Sequence, residues 1–194
     1  MTITRHLPRA LAVAVPAVAL LAVTACGSSD DTATASTTAV TPAAVSQQPA
    51  NGDTGTVSAN RLSADAAGRA AQAALDKCRA DGLGFVTVSV VDRAGNVQAM
   101  LRGDNAAQHT VEASRAKGYT AAAFGANTSD LADRAKGDGA TVADLPGTLF
   151  LPGGVTVKVG NASIAGIGVG GAPDGNADQA CAAAGLAAIA DSLR

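Results

Sequence analysis

Tryptophan is absent from this chain, and only Phe85, Tyr119, Phe124 and Phe150 carry aromatic rings. A surface that holds single-stranded nucleic acid uses stacking rings and phosphate-neutralising cations. Cations are in no excess either: 14 Lys and Arg stand against 16 Asp and Glu. Setting aside Arg5, Arg9, Asp30, Asp31 and Asp53, the stretch from residue 60 onward keeps 12 cations and 13 anions and has no basic stripe. Both counts exclude nucleic-acid binding.

Histidine is scarcer still. Of the two present, His6 lies in an N-terminal segment that reads as an export signal, so the exported chain has His109 alone. A zinc centre with two or three imidazoles is therefore impossible, and thiolate zinc finds only two cysteines after residue 60. A Ser-His-Asp arrangement would have to use His109, and no Gly-x-Ser-x-Gly elbow is present. Hydrolase chemistry is not expected.

Long apolar runs are missing as well. The best, Ala10 to Leu21, is interrupted by Pro16 and is shorter than the roughly 20 residues a membrane span needs. Preceded by Arg5, His6 and Arg9 and followed by small residues, it reads as a signal peptide over 1–25. Val23-Thr24-Ala25-Cys26-Gly27 resembles the lipobox of bacterial lipoproteins, which implies diacylation of Cys26 and an anchor on the extracytoplasmic face of the membrane. The alternative is plain secretion without lipid. Residues 26–59 are Ser, Thr, Ala, Pro, Gly and Gln with almost no large apolar side chain, so they cannot offset their chain entropy and form a disordered tether. Such a coil averages about 30–35 Å end to end.

What remains, 60–194, suits one domain. With Cys26 acylated, Cys78 and Cys181 are left as a pair in an oxidising compartment, either joined as a disulfide or kept as two small buried thiols. Ser63 caps a helix from Ala64 to about Ala80 that Gly82 stops. Phe85 to Val91 and Val97 to Arg102 are strands around the turn Asp92–Asn96, an antiparallel hairpin. A helix over Gln108 to Phe124 ends at Gly125, and Thr128 or Ser129 caps a short helix through Lys136. Residues 137–147 read as a loop. Leu149–Leu151, Val155–Val159 and Ser163–Val169 are three further strands, and a helix from about Asn176 to Leu193 closes the chain. Hairpin-joined strands with helices before, between and after them predict an α+β fold with a five-stranded antiparallel sheet.

Gly166-Ile167-Gly168-Val169-Gly170-Gly171 superficially resembles a dinucleotide-binding turn, but Gly166 and Gly168 fall inside a strand pattern, which predicts close backbone approach instead. Asn105 and Gln108 have capping-box spacing, which places His109 and Thr110 at the start of the second helix. Glu112, the sole glutamate, shares the helix face of His109.

Val88-Ser89-Val90-Val91-Asp92-Arg93-Ala94-Gly95-Asn96, Lys117-Gly118-Tyr119-Thr120-Ala121-Ala122-Ala123-Phe124 and the glycine run 166–171 resemble the GlcG/HbpS family, in order, across 60–194. That resemblance implies profilin-like α/β/α layers, homo-oligomers and haem binding in capture, buffering or sensing. It implies an iron donor at Thr110 or His109, with Glu112 nearby and Arg115 or Lys117 for the propionates. Imidazole and oxygen donors both suit ferric iron. The same resemblance leaves other roles open: haem degradation, a corrinoid in place of haem, or service as a ligand-free accessory to a membrane sensor.

Overall fold

The computed structural model describes residues 55–194, so the signal segment, Cys26 and most of the tether lie outside the described residues. The described residues belong to one compact unit. Helix α1 spans Ala64–Ala80, and the Ser63 side chain accepts the Ala66 N–H at its start. Strands β1 (Thr87–Asp92) and β2 (Val97–Arg102) form the expected hairpin. Its turn is held by the Asp92 carboxylate, which accepts the N–H groups of Ala94 and Asn96, each at 2.9 Å.

Helix α2 runs Gln108–Phe124 and ends at Gly125, whose φ of 63° is the left-handed stop that glycine allows. Its start differs from expectation. Asn105 adopts φ 63° in the preceding turn and is no cap; Ala107 takes that place, without a side-chain bond. A single turn, α3 (Thr128–Leu131), follows Asn127 rather than a Thr128 or Ser129 cap and continues as 3-10 turn to Ala135. Strands β3 (Gly154–Val159) and β4 (Ala162–Gly170) and helix α4 (Gly175–Ala187) complete the domain.

The sheet is antiparallel throughout in the order β2-β1-β4-β3, with four strands among the described residues rather than five. Leu149–Leu151 is the segment that does not pair. Leu149 donates its N–H to Thr120 Oγ1 on α2 at 2.8 Å, and Pro152 follows with no donor, so the run lies along the helix instead of the sheet.

Three layers result. α1 and α4 cover one face of the sheet, where Val88, Val90, Val157, Ile167 and Val169 join the buried residues of the two helices in one core. Cys78 and Cys181, both fully buried, are joined there as a disulfide between α1 and α4. α2 covers the other face, which is polar and narrow. Thr87 bonds Thr110 and Ser89 bonds Ser114, both at 2.7 Å between hydroxyls, and Val91 lies against Gly118. Two strand residues advance about 6.6 Å and four helix residues about 6.0 Å, so these pairs stay in step. On β4, the residues opposite are Gly166, Gly168 and Gly170. A Cβ on Gly168 would sit 1.9 Å from the Ser114 carbonyl oxygen, and one on Gly166 2.1 Å from that of Gly118. The glycine run is thus a track for a helix backbone, as its position within a strand predicts.

Candidate functional site

His109 is solvent-exposed on the first turn of α2. It stands at a cavity of about 270 Å³ whose wall includes Leu149, Leu151 and Pro152 and whose floor holds Lys117 and Asp178. The failure of Leu149–Leu151 to join the sheet is what makes this wall. Leu151, in front of Pro152, keeps 59% of its surface exposed, a large apolar area in the open beside an imidazole.

Thr110 faces the other way. It is 2% exposed, and its hydroxyl lies 2.7 Å from both Thr87 Oγ1 and the Ala107 carbonyl oxygen. Successive helix residues are turned by about 100°, so His109 and Thr110 cannot share a direction, and the ladder along β1 takes Thr110. Lys117 comes up beneath His109 two helical turns on. Its Nζ donates to Asp178 at 2.8 Å, and both side chains are at most 5% exposed. Asp178 also accepts the Ala172 N–H at 3.0 Å. This pair ties α2 to α4 and to the loop after β4. Arg115 does not line the cavity; it donates to the Gly95 carbonyl at 3.4 Å, by the hairpin turn. Glu112 is exposed and outside the lining. Of the five residues singled out on this helix, the structure brings only His109 and Lys117 to one cavity.

Leu149, Leu151 and Asp178 were not legible as site residues. Asp178 lies 61 positions from Lys117, and no local spacing links them. One sign was available: Lys117 falls on the stripe of Thr110, Ser114 and Ala121 that faces the sheet, where a lysine requires a buried partner.

Among the described residues no group of three or more His, Cys, Asp or Glu is gathered to hold a metal ion. A single imidazole beside an apolar wall is instead a donor set for a group that brings its own equatorial ligands, such as an iron porphyrin.

The model of a family described as haem degrading protein HbpS-like matches residues 62–187. A crystal structure of HbpS is similar at 43% identity and a TM-score of 0.66, over 69% of this chain and 94% of that one. A double-mutant HbpS from Streptomyces reticuli is similar at 39% identity and TM-score 0.64, over 75% and 98%. A PduOC–heme complex shares 26% identity with a TM-score of 0.60, over 67% and 96%. No protein with a curated description matches the chain.

Proposed function

The chain belongs to the HbpS-like family, and from that membership we propose that it binds haem at the mouth of the cavity beside His109. The observation that carries the reading is the exposed imidazole set next to an apolar wall of exposed Leu151 and half-buried Leu149 and Pro152. A porphyrin has an apolar body and an iron that takes an imidazole nitrogen, so the two halves of the site match the two halves of the ligand. The relative crystallised with heme supports the same choice. Bound haem would supply a redox-active iron; the residues of this chain bind and orient it.

The cavity is slightly smaller than the roughly 300–1,000 Å³ of pockets that enclose drug-sized ligands. Haem held by His109, Leu149, Leu151 and Pro152 would be only partly enclosed here, and a second copy of the chain in a homo-oligomer would cover the rest. Lys117 is committed to Asp178 and Arg115 is turned to the hairpin, so neither would be free to pair with a propionate. The protein acts on the extracytoplasmic side, held by the lipid on Cys26, as a capture or buffering protein.

Hemin titrated into residues 50–194 gives a new Soret band, and His109→Ala weakens binding at least tenfold. A band that survives His109→Ala and is lost in Thr110→Val moves the donor to Thr110. An unchanged hemin spectrum overturns the reading. Conversion of bound haem to a bile-pigment spectrum with a reductant present would extend it to degradation.

A further inference from the structure

A second cavity, of about 330 Å³, shares no residue with the one beside His109. It is an open hollow bordered by the segment leading into α1, the first turns of α1, the ends of β3 and β4 that meet at their turn, and the chain after α4. Arg61 and Arg69 line it from α1 and the segment before it, Arg194 lines it with a guanidinium and the main-chain carboxylate of the same residue, and no Asp or Glu side chain does. The charges elsewhere in the domain make this unusual. Lys77, Arg79, Lys117 and Lys136 are in ion pairs. Arg102 and Arg115 donate to main-chain carbonyls, and Arg134 stacks over Phe124. Among the described residues five basic side chains have neither an ion pair, a hydrogen bond nor a ring partner: Arg61, Arg69, Arg93, Lys158 and Arg194. Two of these five, Arg61 and Arg69, bring uncompensated charge to one cavity in a domain with no excess of positive charge. Arg61 meets an acid only through the field it exerts on Asp92.

We infer that this cavity is a binding site for a phosphate ester. A guanidinium offers paired N–H donors that match two phosphate oxygens, and several of them around one hollow bind phosphate more tightly than scattered charges do. The floor adds the rest of the ligand: Leu62 and Ile164, both 6% exposed, form an apolar base under the arginines. A phosphate bearing a short carbon stem satisfies both parts, with its oxygens on Arg61 and Arg69 and its stem on Leu62 and Ile164. Two sources carry that chemistry, a phospholipid headgroup and a soluble phosphate ester. The cavity lies beside residues 60–63, at the entry to α1.

The test uses residues 50–194, which hold the complete core and correspond in extent to the solved relatives. Inorganic phosphate is titrated at low ionic strength by calorimetry or NMR, and sedimentation is measured with phosphatidylglycerol and phosphatidylcholine vesicles. Phosphate binding that falls at least tenfold in Arg61→Gln/Arg69→Gln supports the site. The charge-matched Arg93→Gln/Lys158→Gln should stay within twofold of the parent. Sedimentation with phosphatidylglycerol vesicles that free phosphate reverses assigns the headgroup; phosphate binding without sedimentation assigns a soluble ester. Absence of phosphate binding overturns the inference, and so does equal weakening by the two double variants. All four side chains are exposed, so the melting temperatures should match and loss of fold should not confound the comparison.

Discussion

At Gly168 a methyl group would meet backbone, and backbone cannot turn aside as a side chain can. Gly168→Ala must push α2 off the sheet and should cost about 3 kcal/mol, near the top of the usual overpacking range. Gly68, on the exposed side of α1, has nothing within 4 Å, so Gly68→Ala should instead add about 0.5–1 kcal/mol through helix propensity alone. Denaturant titration of the two variants checks both signs. Asp92 offers a second test at this scale. Burial by itself would raise its carboxyl, but the N–H groups of Asn96 and Ala94, the Asn96 side chain and the field of Arg61 hold it below the usual 3.8. A folded-state value that is depressed gives stability present above about pH 4 and lost as the pH falls through the folded value. The gap in melting temperature between the parent and Asp92→Asn should therefore be widest at neutral pH and close in acid.

Helix α1, the body of α2 and the hairpin were legible because their signals are local, whereas the last helix, expected to Leu193, stops at Ala187. Alanine at helical spacing with Ser63 before it marks α1, and β-branched runs on either side of Asp92–Asn96 mark β1 and β2. Leu149–Leu151 misleads for the opposite reason. An apolar triplet reads as a strand, but its partner is Thr120 on a helix, and only the tertiary arrangement decides between them. The polar alternation Thr87, Val88, Ser89, Val90 has the pattern of a sheet with one wet face, yet every residue of β1 is buried, because Thr87 and Ser89 spend their hydroxyls on α2. Between elements, the predicted cysteine pair is realised as the bridge from α1 to α4. It closes a separation of 103 residues, worth up to about 4–5 kcal/mol in the chain-entropy model. Reduction, or Cys78→Ala with Cys181→Ala, should lower the melting temperature by on the order of 10–15 °C, read by calorimetry with and without reductant.

For the whole molecule, the family match covers residues 62–187, and the proposed anchor is a separate matter carried by Cys26. Cys26→Ser should shift the protein from the membrane fraction to the soluble fraction of the producing cells, as immunoblotting of fractionated cells would show; persistence at the membrane would place the anchor elsewhere. No helix among the described residues is long and apolar enough to cross a membrane. The glycine track beneath α2 has a consequence at this scale too. It works as a keyway: the helix lies in a slot cut to its main chain and pegged by the two hydroxyl pairs, so it can neither roll nor slide by part of a turn without a collision. The direction in which His109 leaves the helix is set before any guest arrives. Under the proposed haem reading, a flat guest would then meet an imidazole whose point of origin is fixed, and discrimination among guests would rest on their outline.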